Sequence, residues 1–210
     1  PLLQTNAGLH LLLGAMTPGN FGVVCAPRVG FGPRLLYVMG GFDSSNSALA
    51  SVEIFDPQTN GWTAGVALPA GRSCAAAAAL EGKIYLVGGT GGSSKVEAFD
   101  PQAGAWAEVA PLPTGRGFLT AAVVGGRLFA IGGLGGGNAL STVEAFVPQT
   151  GVWAAVAPMP TARSFAGAAV LDGKIYVVGG SDGTVTLATV DVYDPATNAR
   201  SPAPPLSTAR

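Results

Sequence analysis

Short apolar segments that end in a pair of glycines recur four times along the chain. The most regular copy, residues 172–180, reads as a turn (Asp-Gly-Lys), an apolar run (Ile-Tyr-Val-Val) and then Gly-Gly. An uninterrupted apolar run of this length is typical of a β-strand that is buried on both faces. Successive glycine pairs lie 44 to 48 residues apart, and this period predicts a fold built from copies of one unit. The pairs are Gly40 and Gly41, Gly88 and Gly89, Gly132 and Gly133, and Gly179 and Gly180.

Each glycine pair is followed by an acidic residue, a tryptophan and an arginine in that order, except that the fourth repeat lacks the tryptophan. The steps from acid to tryptophan, from tryptophan to arginine and from arginine to the next glycine pair are nine, ten and sixteen positions. Only the step from the second glycine to the acid varies, from 8 to 12 positions, which predicts a surface loop there. The acids are Glu53, Glu97, Glu144 and Asp191; the tryptophans are Trp62, Trp106 and Trp153, with Arg200 in the fourth tryptophan position; the arginines are Arg72, Arg116, Arg163 and Arg210.

Each repeat is predicted to contain four short β-strands. The first is small and apolar (residues 74–80, 118–124 and 165–171), the second is the apolar run, the third carries the acid and the fourth begins at the tryptophan. Gly-Lys or Gly-Arg between the first two strands predicts a tight hairpin, and Asp-Pro after the third predicts a turn. Alanine-rich residues 75–79 also suit a helix, but the segment is too short for a stable one. We therefore predict an all-β propeller of four-stranded antiparallel blades, in which small first strands pack near the axis.

The Gly-Gly strand, the spaced acidic and aromatic positions and the Asp-Pro-x-Thr turn before tryptophan together resemble the kelch repeat. The resemblance covers residues 35–210, interpreted as a kelch-repeat propeller segment; residues 1–34 are interpreted as the degenerate tail of a preceding repeat and the start of the first blade. Kelch repeats build β-propellers, commonly of about five to seven blades, and most serve as protein-interaction platforms. About four blades are present, so the resemblance implies part of a larger propeller. Closure with four blades is the alternative.

Composition excludes several classes of function. Net charge is −1 with 11% charged residues, and without a basic patch nucleic acid is not an expected partner. No apolar stretch approaches the roughly 20 residues that a membrane span needs. Cys25 and Cys74 are too few for a disulfide framework, and no basic residue precedes the apolar residues 8–16, as a signal peptide would require. The compartment stays open, with the cytoplasm favoured.

One face of the predicted disc collects the variable loops, residues 42–51, 90–94, 134–142 and 181–189, together with the repeated arginines. Binding residues concentrate on variable loops held by a rigid scaffold. The binding candidates are Arg72, Arg116, Arg163, Arg210, Asp43, Asn138 and Asp182. Each arginine follows its repeat's acid by nineteen positions, so the alternative for the arginines is a structural ring of ion pairs, which strict repetition favours. The alternative for the loop residues is a solvated turn.

The motifs give little support to catalysis. The glycine-rich residues 88–95 lack phosphate-loop spacing. Copper oxidases that resemble galactose oxidase need two histidines, whereas His10 is the one histidine of this chain, and no metal or other cofactor is expected. We predict a non-catalytic scaffold for a protein partner. The alternative is a carbohydrate-active kelch enzyme, such as a sialic-acid epimerase or mutarotase, with a small sugar ligand. That alternative requires one acid or arginine that leaves the ring of pairs and turns toward the central channel.

Overall fold

The computed structural model describes residues 35–210 and, by its backbone, the strand Val23–Cys25. The remaining positions of the predicted degenerate tail, including His10, lie outside the described residues. Eighteen strands and no helix occur in the described part. Blade one is β1 (Val23–Cys25), β2 (Leu36–Met39), β3 (Val52–Asp56) and β4 (Gly61–Ala64); blade two is β5 (Ala76–Leu80), β6 (Lys83–Val87), β7 (Val96–Asp100) and β8 (Ala105–Glu108). Blade three is β9 (Thr120–Val124), β10 (Arg127–Ile131), β13 (Val143–Val147) and β14 (Val152–Val156), with the hairpin β11 (Leu134–Gly135) and β12 (Asn138–Ala139) inserted; blade four is β15 (Gly167–Leu171), β16 (Lys174–Val178), β17 (Val190–Asp194) and β18 (Ala199–Ala203).

Each blade is a four-stranded antiparallel sheet in which neighbouring strands follow chain order. The register is the same in all four sheets. The acid on the third strand always lies opposite the residue two positions before the glycine pair, as Glu97 lies opposite Leu86. Constant spacing in the sequence thus corresponds to constant register, and the prediction of an all-β fold of four-stranded antiparallel blades is confirmed.

The connections between strands follow the predicted turn chemistry. Glu81 and Gly82 both have positive φ, 50° and 76°, as a two-residue type I′ hairpin turn requires. After the third strand, Asp56 Oδ1 accepts a hydrogen bond from the Gln58 amide at 2.8 Å, so the aspartate side chain closes the turn. The hairpin turns and these turns lie on one side of the disc, here named the turn face. The two–three and four–one connections form the opposite side, the loop face.

The core lies between consecutive blades rather than within one. The alanines of the first strand are strand residues, and Ala76 and Ala78 are buried against the next blade. Small side chains let β5, β9 and β15 pack side by side near the axis. Tyr85 of blade two and Phe146 of blade three add an aromatic contact at a centroid distance of 5.8 Å. A blade therefore buries its apolar side chains only by stacking on its neighbours.

The first and the last blade each keep one open sheet face. Leu171 of blade four is 52% exposed, whereas its counterpart Leu80 in blade two is 6% exposed. Trp62 of blade one is 54% exposed, whereas Trp153 in blade three is 9% exposed. Within the described residues these faces have no covering sheet. That the chain is part of a larger propeller stays a prediction.

Candidate binding face around Phe118 and Phe165

The repeated arginines join consecutive blades through their backbone. The amide of the second glycine in one blade donates a hydrogen bond to the carbonyl of the arginine that opens the next blade, as Gly89 does to Arg116 at 2.9 Å. The first glycine, Gly88, has a φ of +70°, and a Cβ there would lie 2.3 Å from the Arg116 carbonyl oxygen. Only glycine combines this conformation with this approach. The same bond occurs from Gly41 to Arg72, from Gly133 to Arg163 and from Gly180 to Arg210.

The guanidinium of each of the first two arginines belongs to its own blade. Arg116 is fully buried and donates to the carbonyls of Gly132 and Thr142, at 3.0 and 2.9 Å, and to Glu144 Oε2 at 2.7 Å. Thr114 donates to the other oxygen of Glu144 at 2.8 Å. Burial lowers the pKa of Arg116, and the Glu144 carboxylate opposes that shift. The equivalent pair of Arg72 with Glu97 has the same length, 2.7 Å.

These pairs correct one detail of the sequence interpretation. The constant spacing of nineteen positions suggested that an arginine pairs with the acid before it. Instead, Arg72 and Arg116 pair with the acid that follows, 25 and 28 positions later. The reason is the chain path, because the arginine enters the first strand of a new blade whose third strand carries the following acid.

Blade four departs from this arrangement. Asp191 forms its ion pair with Arg200 on the neighbouring outer strand β18. Arg163 keeps its bonds to the carbonyls of Gly179 and Thr189, both at 3.1 Å, but its third partner is the Thr189 hydroxyl at 3.0 Å. Its Nε has no hydrogen-bond partner in the described structure. Asp191 therefore does not pair with a repeated arginine, and its partner lies at the outer edge of the sheet rather than toward the axis.

Arg200 also replaces the missing fourth tryptophan in detail. Its Nε donates to the carbonyl of Ala157 in blade three at 2.8 Å. Trp153 Nε1 donates in the same way to Ala110 of blade two at 2.8 Å. The Arg200 guanidinium lies 4.8 Å from the centroid of Tyr193, where Trp153 packs on Phe146 at 5.1 Å. One arginine therefore supplies the hydrogen bond and the planar contact of the indole.

The predicted binding residues fall into two groups. Arg72, Arg116 and Arg163 are 6%, 0% and 2% exposed, so no ligand reaches their guanidinium groups in this conformation. Arg210 is exposed, and its backbone carbonyl accepts the Gly180 amide at 2.8 Å. The accessible candidates are therefore Arg210 and the three loop residues.

Those three residues stabilise their own loops. Asp43 accepts the amides of Ser45 and Ser47 at 2.9 and 2.8 Å. Asp182 accepts the amides of Thr184 and Val185, both at 2.8 Å, and Asn138 donates to the Gly136 carbonyl at 3.3 Å. A hydrogen bond from the Ser45 side chain lowers the pKa of Asp43, and one from the Val185 amide lowers that of Asp182. Each carboxylate favours its charged form because the loop donates to it.

Two phenylalanines that the sequence interpretation placed at the start of first strands lie instead on the loop face. Phe118 and Phe165 have φ values of 52° and 56°, and Cys74, at the same position of blade two, has 55°. The Phe118 amide donates to Cys74 at 2.7 Å, and the Phe165 amide donates to Phe118 at 3.0 Å. The two rings pack at 4.5 Å, and Phe165 is 59% exposed. The sequence signal for this difference was a large aromatic residue at the start of a segment that otherwise consists of small residues.

A shallow pocket of about 330 Å³ borders this aromatic pair. Phe118 and Leu134 supply its apolar side chains. The rest of the lining is glycine, from the loops of blades two and three: Gly91, Gly92, Gly117, Gly136 and Gly137. Residues without side chains leave backbone amides and carbonyls accessible to a ligand, so the pocket combines one aromatic face with backbone polar groups.

A comparison with protein families assigns the architecture. The model of the Kelch motif matches residues 25–69, 71–113, 115–160 and 162–207. The chain belongs to the kelch-repeat family. The match covers each of the four blades, so the predicted resemblance is confirmed.

Individual relatives share single stretches of this kelch propeller. Kelch-like protein 33 of Homo sapiens is 45% identical over 60 residues, which are 29% of this chain and 11% of that protein. Beta-scruin of Limulus polyphemus is 39% identical over 54 residues, which are 26% of this chain and 6% of that protein. The matched stretch thus covers about a tenth or less of each relative. The solved structure of YjhT matches 92% of this chain and 67% of its own, with a TM-score of 0.75 and 18% identity, which shows a common fold.

Titratable groups in this kelch propeller are dispersed. Among the described residues, no three His, Cys, Asp or Glu side chains lie close enough to hold a metal ion. Cys74 is buried, and its burial raises the pKa of the thiol. The described residues contain no helix that could serve as a membrane span. The loop face therefore offers an aromatic pair, glycine loops and capped carboxylates as its accessible chemistry.

Proposed function

We propose that this kelch propeller is a non-catalytic scaffold that binds a partner protein on its loop face, with Phe165 as the central contact. The observation that carries the proposal is the aromatic pair on the loop face, in which Phe165 packs on Phe118 at 4.5 Å and is 59% exposed within the described residues. Large aromatic residues dominate the energy of protein interfaces, because they bury much area at a small entropic cost. A ring held by a neighbouring ring is already oriented for contact.

The backbone and the side chains at this position support different conclusions. The left-handed conformation occurs in Cys74, Phe118 and Phe165 alike, so it belongs to the packing of the blades. Among the described residues at this position, blade two has a cysteine and blades three and four have aromatic rings, so the rings are not a fixed feature of the repeat. Val185, 55% exposed on the neighbouring loop of residues 181–189, adds a second apolar contact on the same face.

The arrangement of charges supports binding over sugar chemistry. An epimerase-like site needs an acid and a guanidinium that face a ligand. Two of the repeated acids, Glu97 and Glu144, are buried in pairs with arginine, and Asp191 pairs outward with Arg200. A small sugar stacked on Phe118 in the glycine-lined pocket is the second candidate ligand.

The test is selection of a random peptide library on the 210-residue chain, followed by fluorescence-polarisation titration of the enriched peptides. Phe165→Ser should weaken them by at least about 30-fold, the effect of losing a central contact worth about 2 kcal/mol. The control is Val152→Ser, since Val152 is 56% exposed on the turn face. Circular dichroism checks that both variants fold.

Peptides that bind the Phe165→Ser variant as tightly as the parent chain would refute the proposal, and so would a library without enrichment. Titration of a monosaccharide panel, read by changes in backbone amide resonances around Phe118, separates the second candidate from the first. Saturable sugar binding without peptide enrichment would place a sugar ligand on this face instead.

A further inference from the structure

A second concave site lies on the turn face, between blades two and three. It is a groove of about 510 Å³ whose walls are alanine methyl groups of β7 and β8, including Ala98, Ala105 and Ala107, and the ring of Phe146. Small-molecule sites commonly measure about 300 to 1,000 Å³ and are largely apolar. The groove has this size and character, and it lies on the opposite side of the disc from Phe165.

The next blade interface shows why this groove is open. Between blades three and four, Arg127 reaches across to the carbonyl of Pro195 at 3.3 Å. Asn198 accepts the Tyr193 hydroxyl at 2.8 Å and the Ala157 amide at 3.0 Å. The equivalent positions between blades two and three are Lys83 and Gly151. Lys83 turns back to its own blade and Gly151 has no side chain, so the corresponding space is left empty.

The groove contains a hydroxyl group without a protein partner among the described residues. Tyr85 lines it and is 5% exposed, yet its hydroxyl makes no hydrogen bond within the described residues. An unpaired hydroxyl that is accessible in an apolar groove can orient a bound ligand. Burial, and secondarily the charge of Glu81, raises the pKa of Tyr85, so the hydroxyl keeps its proton and can donate to a ligand.

The rim of the groove is charged. Lys83 and Asp100 face each other at 3.9 Å with side chains 48% and 35% exposed, which is a loose, solvated pair. Glu81 lies near Tyr85 and accepts a hydrogen bond from Gln149 of blade three. Two carboxylates and one ammonium leave a local excess of negative charge, which favours a ligand with a cationic end.

We propose that this groove binds a small free amphiphile that has an aromatic or branched aliphatic body, a hydrogen-bonding group for Tyr85 and an amine for Asp100. The body packs on the alanine floor and against Phe146. The amine takes the place of Lys83 beside Asp100, and the ammonium of Lys83 turns to solvent. This site is independent of the proposed partner-binding face, because the two lie on opposite sides of the disc.

The experiment uses tyramine as the probe, titrated into the ¹⁵N-labelled 210-residue chain while the amides of Ala105, Ala107 and Gly151 are followed. A ligand of this size is expected to bind with a Kd of about 1 mM. Phenethylamine, which lacks the hydroxyl, should bind about three- to tenfold more weakly. 4-Hydroxyphenylacetate, which carries the opposite charge, should give no saturable shifts.

Three variants decide the assignment. Tyr85→Phe should reduce tyramine binding to the level of phenethylamine, and it is compatible with folding because Phe129 occupies this position in blade three. Tyr176→Phe, the same change in blade four, should have no effect. Lys83→Arg combined with Gly151→Asn introduces the two side chains that fill the next interface and should abolish binding. Asn198, at the position equivalent to Gly151, already adopts a left-handed φ of 53°. Absence of saturable shifts, or shifts unchanged by Tyr85→Phe and by the filled variant, would overturn the proposal.

Discussion

Replacing Arg116 and Arg163 separately by methionine tests whether the buried acids depend on their arginines. Both variants lose two bonds from a guanidinium to backbone carbonyls, at similar distances. Arg116→Met also loses the bond from its Nε to the Thr114 carbonyl at 3.0 Å. The two arginines differ as well in their side-chain partner. Arg116→Met leaves the carboxylate of Glu144, 4% exposed, with Thr114 alone. Arg163→Met removes only a bond to the Thr189 hydroxyl, because Asp191 keeps Arg200.

The common losses cancel in the comparison, so the difference measures the stranded charge together with the Nε bond that Arg116 makes and Arg163 does not. Breaking a buried ion pair costs about 3 to 5 kcal/mol, and losing a neutral hydrogen bond costs about 1 kcal/mol. Arg116→Met is therefore expected to reduce the free energy of unfolding by about 2 to 4 kcal/mol more than Arg163→Met. The unpartnered Nε of Arg163 adds to the difference in the same direction, since its removal relieves a buried unsatisfied donor.

The assay is urea unfolding followed by tryptophan fluorescence and, on the same samples, by far-UV circular dichroism. Coincident curves and a common m value justify a two-state comparison of midpoints. Arg116→Lys is a useful third variant, because it keeps the charge and loses the planar set of donors. Equal losses for the two methionine variants would refute the reasoning, since they would mean that the pairing with Glu144 contributes nothing beyond the carbonyl bonds.

Two further predictions concern the glycine pairs and blade four. Gly132→Ala would put a Cβ 2.3 Å from the Arg163 carbonyl oxygen at a φ of +58°, whereas the Cβ of Gly173→Ala, at a φ of +74°, meets nothing within 4 Å. We expect Gly132→Ala to reduce the free energy of unfolding by more than about 3 kcal/mol and Gly173→Ala by about 1 kcal/mol, measured as shifts of Tm. Arg200→Ala leaves Asp191 buried without its partner and should cost about 3 kcal/mol, while Arg200→Trp combined with Asp191→Glu rebuilds the pattern of blade three and should stay within about 1 kcal/mol of the parent chain. Equal losses of stability for Gly132→Ala and Gly173→Ala would contradict the first prediction. A double variant as unstable as Arg200→Ala would contradict the second.

Much of the fold could be predicted because the constant spacing of the repeated residues reflects the register of the strands. The step of sixteen from Arg116 to Gly132 corresponds to a direct hydrogen bond at 3.0 Å, so a constant number reflects a contact. The step of nineteen from Glu97 to Arg116 is equally constant but reflects only the path through β8 and its connection. Sequence spacing alone does not distinguish these two cases, and the ion pairs were therefore assigned to the wrong neighbours.

The accessible site could not be predicted in the same way. Cys74, Phe118 and Phe165 leave the strand conformation, and their backbone groups bond to one another across neighbouring blades. The sequence of a non-glycine residue gives no sign of a positive φ. The segment of residues 134–142, predicted as a variable loop, contains the hairpin β11–β12, turned by Gly136 and Gly137 at φ values of 58° and 84°. Such features depend on contacts between blades and not on local composition.

The double attachment of the buried arginines, Arg72, Arg116 and Arg163, restricts how such a chain can change its number of blades. The carbonyl of Arg116 holds Gly89 in blade two while its guanidinium holds Gly132 and Glu144 in blade three. A duplication or deletion joined within the fixed segments would separate an arginine from one of these partners. A recombination point in the variable connection between the glycine pair and the acid keeps every arginine with its partners, because the hybrid blade then contains one arginine, one glycine pair and one acid. The connection that tolerates recombination is also the one that forms the loop face, so each gain or loss of a blade renews the binding surface at the same point.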